Sequence, residues 1–380
     1  MTITAPDAGT APEHPQPVLY RELPASIYTD PARFDQELED VFGQTWLLAT
    51  PLGVLPETGG YPVTVGRRSL VITRDGDTVR AFYNVCSHRG SAVIDEPCDA
   101  KRLRCAYHGW TYGLDGTLVA LPGQARFGDG LDMSACALPA VNCEVWNGFV
   151  WVHLGQPEGG VEEALGDFAD ELARYRCDEQ RVMHTRVETV PLNWKAVVDA
   201  FNETYHVPFI HRGTVGRLVE AKATWFTYAK ANSRMVVPVR ESLASAEGRD
   251  DARSAPSATG KNLLSEQAED HCNYMLFPNV ILDYLPRWGV VTQYEPIDLR
   301  TTELRVWMMT DLPRTPEHEE SFERQWAELS KVLSEDVASQ GAIGRGINSS
   351  AFKTVRLGGE EERLVHFHRE VGGLIGDWVE

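Results

Sequence analysis

No run of eighteen apolar residues occurs in the 380-residue chain, so no segment of it reads as a membrane-spanning helix. Basic residues are outnumbered: 36 Lys and Arg stand against 55 Asp and Glu, a formal net charge of −19 at pH 7. That sign argues against nucleic acid and anionic membrane surfaces as partners. The stretch Met1–Pro17 lacks the basic and apolar pattern of a secretory signal and is rich in Ala, Pro and Thr. It reads as a flexible arm on a cytoplasmic protein. There are 32 glycines, yet no Gly-x-Gly-x-x-Gly stands between a strand and a helix. A nicotinamide or flavin must therefore be bound by another chain. Cysteine is sparse and odd in number, at seven, which disfavours a disulfide scaffold and turns attention to metal binding.

What is present is an ordinary globular composition, 43% hydrophobic and 24% charged, long enough for two domains with real cores. Residues 26–48 read as helical, with Phe34, Leu38, Val41, Phe42 and Trp46 at helical spacing. From Leu52 to Leu154, short alternating or β-branched runs (Tyr61–Val65, Ser69–Arg74, Thr78–Asn84, Phe149–Leu154) punctuated by Gly and Asp predict a small antiparallel β domain. Residues 157–178 are acidic and read as a linker helix leaving that domain, with Leu165, Phe168, Leu172 and Tyr175 on one face. Beyond 188 helices and strands mix: a helix near 194–207, strands near 271–309 and a long helix near 317–341. The polar stretch 240–268 reads as a mobile loop or lid.

The strongest chemical signal is Cys86-Ser-His88, followed after sixteen residues by Cys105-Ala-Tyr-His108. Each short pair fits on one tight loop, and two such loops can clamp a small inorganic centre. Thiolates suit one ferric iron of a [2Fe–2S] cluster, while neutral imidazoles on the other raise its potential. Gly90 and Gly109 allow close backbone approach, and Trp110 and Tyr112 can shield the loops. Structural zinc is the rival, although zinc sites usually pair Cys with Cys and His with His; four unrelated core residues is the bland reading. Cys98, Cys136, Cys143, Cys177 and Cys272 lack paired spacing and read as small buried hydrophobes.

A second set lies in Asp199-Ala-Phe-Asn-Glu203-Thr-Tyr-His206-Val-Pro-Phe-Ile-His211, preceded by Asn193-Trp-Lys195. Two histidines five apart carry little weight alone. Glu203 and His206 would share a helical face, and Pro208 would end or kink the helix so that His211 turns back toward His206. A 2-His-1-carboxylate site then needs one acid. Asp336 falls on the apolar stripe Phe322, Trp326, Leu329, Leu333, where an unpaired carboxylate is costly. Glu335 should point away and be dispensable. A salt bridge from Asp336 to Arg345 is the alternative reading.

Cys86-x-His88 with Cys105-x-x-His108-Gly-Trp resembles the Rieske domain of ring-hydroxylating oxygenases and their ferredoxins. Respiratory Rieske proteins carry extra cysteines where this chain has Ser91 and Tyr107. From about residue 40 onward the chain resembles the oxygenase α subunits of that family. The resemblance implies an α+β protein: an arm and helix start over 1–40, a Rieske antiparallel β domain over 41–156, and over 157–380 a helix-grip-like catalytic domain with a central antiparallel sheet. It implies a [2Fe–2S] cluster on Cys86, His88, Cys105 and His108, and Fe(II) on His206, His211 and Asp336. Glu203 takes the position of an acid bridging His108 of one subunit to His206 of the next, in a homotrimeric ring without a β subunit; alone, Glu203 would read as an exposed helix glutamate. A ferredoxin or flavin reductase would supply electrons, and dioxygen would be activated beside a small organic substrate. Monooxygenation, including N- or O-dealkylation, is the expected outcome, with cis-dihydroxylation of an arene as the alternative and an electron carrier without oxygenase activity as the reading from another class. Pocket candidates are Phe209, Trp225, Phe226, Tyr274, Phe277, Tyr284 and Trp288, which equally suit an ordinary core; they could cage a cationic amine or line a site for a neutral arene. The chain departs from the family in having Glu rather than Asp at 203, Ala200 where Asn is frequent and Gly344 where Gln is common.

Overall fold

The structure is a computed structural model that describes residues 19–240, 271–285 and 288–378. The arm Met1–Pro17 and, beyond its first residue, the expected lid at 240–268 lie outside the described residues. The chain divides into two compact units, one of residues 32–182 and 295–297, the other of the remainder.

The helical reading of 26–48 holds only in its first half. Helix α1 (Ser26–Thr29), helix α2 (Pro31–Gln36) and one π-turn (Glu37–Val41) are followed by a strand, Trp46–Pro51. All six residues of that strand are buried. A strand covered on both faces has no alternation, so its apolar run reads equally well as the tail of a helix.

That strand edges a seven-stranded sheet in the order Trp46–Pro51, Phe149–His153, Ala140–Trp146, Thr78–Tyr83, Arg68–Asp75, Thr58–Val65, Cys98–Asp99. A second sheet joins Arg102–Arg104, Thr111–Gly113 and Leu118–Ala120. Between the two sheets Leu103, Tyr112, Leu118, Val71 and Phe82 form the core on which Cys86 and Cys105 sit. The expected linker is two short helices, α3 (Val161–Leu165) and α4 (Phe168–Ala173), parted by Gly166 at φ 61°. Leu165, Phe168, Leu172 and Tyr175 are all buried. The segment packs on the last β hairpin instead of leaving it: Val161 N–H donates to Glu144 at 3.0 Å, and the Asn147 side chain holds the Leu172 carbonyl and the Cys177 N–H.

The other unit carries a seven-stranded sheet in the order Arg181–Val190, Thr301–Thr310, Trp288–Asp298, Val280–Leu285, His271–Leu276, Asn232–Val237, Trp225–Ala229. Helices α5 (Trp194–Phe201), α6 (Val207–Ile210), α7 (Pro316–Ile347) and α8 (Glu362–Ile375) belong to it. Thr315 caps α7 by accepting the His318 N–H at 3.2 Å, with Glu317 and Glu319 in the first turn where the helix dipole favours negative charge. The buried face of α7 is Phe322, Leu333, Asp336, Gln340 and Gly344. Phe322 packs with Met308 and Leu312, and Leu333 with Val290 and Val306. Each such side chain contributes about 1.5–3 kcal/mol by burial, which fixes α7 in rotation and so fixes where Asp336 points. A Cβ on Gly344 would lie 2.5 Å from the Pro191 carbonyl oxygen, so the glycine lets α7 approach the chain entering α5.

Candidate metal centres

The two Cys/His loops are built alike. In the first, Cys86 N–H donates to Ser91 O and Gly90 N–H donates to Cys86 O; in the second, Cys105 N–H donates to Trp110 O and Gly109 N–H donates to Cys105 O. Each closes on a glycine with left-handed φ, 76° at Gly90 and 73° at Gly109, a region that disfavours side chains. The cysteines are buried, and the histidines lie outside them toward solvent. The His88 and His108 Nδ1 atoms converge to 3.1 Å. His88 stacks on Trp110 at 4.9 Å, and the Tyr107 ring lies 3.9 Å from that of His108. Tyr112 donates its hydroxyl to Cys86 Sγ at 3.3 Å and accepts the Ser87 N–H at 3.0 Å. Burial, reinforced by the Cys86 sulfur, pushes the Tyr112 phenol up to about 12, so it stays a donor to a thiolate.

One tetrahedral zinc, with bonds of about 2.0–2.3 Å, would gather its four donor atoms to roughly 3.5 Å from each other. Among the described residues the only three metal-binding side chains with ligand atoms within 4.8 Å of one another are His206, His211 and Asp336. Two buried sulfurs on the inside and two imidazoles converging on the outside suit a dinuclear centre, with sulfurs on the inner iron and imidazoles on the outer. All seven cysteines are free thiols; Cys177 and Cys272 are buried, while Cys98, Cys136 and Cys143 are only half-buried, less enclosed than their spacing suggested.

The second centre is assembled from α5, α6 and α7. Asn193 caps α5 by accepting the Lys195 N–H, and Trp194 to Asp199 are all buried. The helix ends at Asn202, well before Pro208. Pro208 instead sits in the first turn of α6, where its missing N–H costs nothing. Glu203 and His206 therefore meet in a turn and not on a helical face. The Glu203 carboxylate accepts the backbone N–H groups of Tyr205 and His206, the latter at 3.2 Å, and contacts His206 Nδ1. The short α6 brings His211 round so that the two imidazole centroids are 5.2 Å apart. From α7, Asp336 Oδ1 lies 2.9 Å from His211 Nε2 and 3.8 Å from His206 Nε2. Its partners are these histidines, not Arg345. The Nδ1 atoms of both rings already face carboxylates, so both Nε2 lone pairs and a carboxylate oxygen meet at one point. Three ligand atoms so close suit a metal cation between them, since cis ligands with bonds of about 2.1 Å stand about 3 Å apart. The donor set fits a 2-His-1-carboxylate metal.

Glu335, expected to be idle, is not. Its Oε2 accepts from His211 Nδ1 and from the Thr214 hydroxyl, each at 2.7 Å. Burial lowers the His211 pKa, but Asp336 and Glu335 more than offset it and the net shift is upward. The His211 and Thr214 hydrogen bonds hold Glu335 below the usual carboxylate range. No sequence signal pairs Glu335 with His211, because the pairing depends on how α6 sits against α7. Equally invisible was a buried tie in which Asp199 Oδ2 accepts from the Tyr28 hydroxyl at 2.5 Å and lies 3.0 Å from His368 Nε2, joining α1, α5 and α8. Gln340, one turn beyond Asp336, and Asn202, beside Glu203, are fully buried with side-chain amides unpartnered among the described residues.

The pocket candidates scatter. Phe209 is 69% exposed. Trp225 and Phe226 are half-buried on the edge strand, and Arg234 covers the Trp225 ring at 5.3 Å. Tyr274, Phe277 and Tyr284 are buried, Phe277 against Phe367 at 6.1 Å. Trp288 packs in the apolar clusters under α7.

Comparison with known proteins agrees with both centres. Residues 45–141 match the Rieske [2Fe-2S] domain, and residues 172–376 match the ring hydroxylating alpha subunit (catalytic domain). The chain belongs to the ring-hydroxylating oxygenase α-subunit family, whose members are dioxygen-dependent oxidoreductases built from a Rieske domain and a mononuclear-iron domain. It is 33% identical over 201 residues to the glycine betaine monooxygenase oxygenase subunit of Chromohalobacter salexigens, a match covering 52% of this chain and 45% of that protein. It is 27% identical over 354 residues to the chloroplastic choline monooxygenase of Spinacia oleracea, covering 91% and 76%. The fold is that of a solved quaternary ammonium Rieske monooxygenase, with TM-score 0.79, 22% identity and coverage of 95% and 96%. In the described residues no helix is long and apolar enough to cross a membrane.

Proposed function

We propose that the chain is the terminal oxygenase of a multicomponent Rieske system and monooxygenates a small quaternary ammonium compound, by hydroxylation or N-dealkylation. The convergence of His206, His211 and Asp336, each histidine backed by its own carboxylate, carries the oxygenase reading; a pure electron carrier has no use for it. The substrate class is supported by the names of the glycine betaine and choline relatives. We assign residues 41–156 to the Rieske domain and 157–380 to the catalytic domain, which the matched spans 45–141 and 172–376 support, while residues 157–182 pack with the Rieske unit.

When bound, the cluster held by Cys86, His88, Cys105 and His108 would supply single electrons from a ferredoxin or flavin reductase, and the iron held by His206, His211 and Asp336 would supply dioxygen activation. The protein's own part is orientation. Glu203 and Glu335 fix both imidazoles with Nε2 inward, and Tyr112 steadies the Cys86 thiolate. Copies meet head to tail in a homotrimeric ring, with Glu203 facing the neighbour's His108. Two exposed apolar collars support this: Val85, Tyr107 and Phe127 by the cluster histidines, and Tyr205, Phe209 and Ile210 by Glu203. Seven free cysteines and the acidic charge favour the cytoplasm.

The test is a substrate panel of quaternary ammonium compounds and neutral arenes with a surrogate reductase, reading oxygen uptake and product mass. One added oxygen or one lost alkyl group on an ammonium substrate is expected. Two added oxygens on an arene would replace this reading with cis-dihydroxylation, and no substrate-dependent oxygen uptake would leave an electron carrier.

A further inference from the structure

The two iron-site histidines are supported differently. His206 is held by Glu203, its neighbour in one turn, whereas His211 is held from across the fold by Glu335 on α7, which in turn is anchored by Thr214. Glu335 is one residue from Asp336, so α7 presents two adjacent carboxylates to opposite nitrogens of one ring: Asp336 Oδ1 to Nε2 at 2.9 Å and Glu335 Oε2 to Nδ1 at 2.7 Å. The Asp336 side chain is 6% exposed, while that of Glu335 is 33% exposed and forms part of an open groove with Thr214, Ser330, Lys331 and Ser334.

We propose that Glu335 is a positioning residue for the mononuclear metal: it holds His211 in the tautomer and rotation that aim Nε2 at the metal, with Thr214 fixing the carboxylate. This rests on reading His206, His211 and Asp336 as the metal ligands. An imidazole that donates Nδ1–H to a carboxylate is a stronger base at Nε2 and cannot swing about χ2 without breaking a charge-assisted bond. The Thr214 hydroxyl donates to the same oxygen and fixes its direction toward the ring. Two neighbouring acids on one helix thus divide the work, Asp336 binding the metal and Glu335 aligning the ring that binds it.

The experiment measures metal directly. Cluster-loaded protein is stripped of mononuclear iron with a chelator and retitrated with Fe(II) under anaerobic conditions against a competing chelator. The nitric oxide adduct is then examined by EPR. Glu335→Ala should weaken Fe(II) binding about 10- to 100-fold, and its adduct spectrum should broaden as His211 samples several rotations. Glu335→Gln retains an acceptor for Nδ1–H and should recover part of the affinity. Thr214→Val should show a smaller loss in the same direction. The cluster absorption should be unchanged in all three. Glu335→Ala and Glu335→Gln binding Fe(II) within twofold of the parent, with the parent's adduct spectrum, would overturn the proposal. His211→Ala in the same titration separates this from failure of the ligand assignment: if His211→Ala binds as well as the parent, the ligand reading is wrong; if only His211→Ala loses metal, the ligands stand and the role of Glu335 falls.

Discussion

Glu203→Gln is the substitution that most directly tests how electrons reach the mononuclear site. The Glu203 carboxylate accepts two backbone N–H groups and faces His206 Nδ1, and its side chain is 10% exposed. It therefore has one function within the chain, holding the turn and the His206 ring, and in the proposed ring a second one outward to the partner's cluster histidine. Glutamine keeps the size and one acceptor oxygen. Its amide nitrogen is a donor, and the three groups that contact the carboxylate in this chain are donors too, so one contact turns from charge-assisted attraction to repulsion. A hydrogen bond to a charged group is worth about 1.5–3 kcal/mol. At about 1.4 kcal/mol per factor of ten, that is about 10- to 150-fold in the rate of any step requiring the aligned bridge. Both metals and the trimer should persist, because the cluster and metal ligands remain and glutamine keeps an acceptor oxygen for His206 Nδ1. The assay is stopped-flow reoxidation of the reduced cluster at its visible band with substrate and oxygen present. Parent-like reoxidation in Glu203→Gln would refute the bridging role, and an active monomer would refute the route between subunits.

Cys86→Ala and His108→Ala should each abolish the brown colour and the Rieske-type EPR signal, since each removes one of four donors; bound zinc in colourless, iron-supplied parent protein would sink the cluster assignment. His206→Ala and Asp336→Ala should keep the cluster spectrum while mononuclear iron, by metal analysis, and turnover are lost; retained iron would show the ligands to be elsewhere. Chelating the mononuclear iron of the parent should lower its Tm, because a ligand at 1,000 times its Kd contributes about 4 kcal/mol; an unchanged Tm would argue against a resident metal. Gly148→Ala should destabilise by about 2–5 kcal/mol, as Gly148 has φ 77° and a Cβ there would lie 2.5 Å from the Cys177 carbonyl oxygen. Thermal unfolding with a Tm within a degree of the parent's would contradict that close approach.

Much of this protein was determined by sequence alone, for a local reason. Cys86-x-His88 and Cys105-x-x-His108 each lie within one tight loop, so spacing along the chain nearly equals arrangement in space. The β domain showed in its alternating strands, and Asp336 on the buried face of α7 showed in the 3.6-residue period. Where two periods coincide the sequence misled: Trp46 belongs to a strand buried on both faces, and the 157–178 face is shared by two helices parted at Gly166. The turn at Asn202 replaced the break expected at Pro208, and proline is harmless in the first helical turn where it sits. Only the tertiary structure decided that Glu335 supports His211 across 124 residues, and that Tyr28 and His368 converge on Asp199. Those contacts depend on helix positions set by packing of the whole unit.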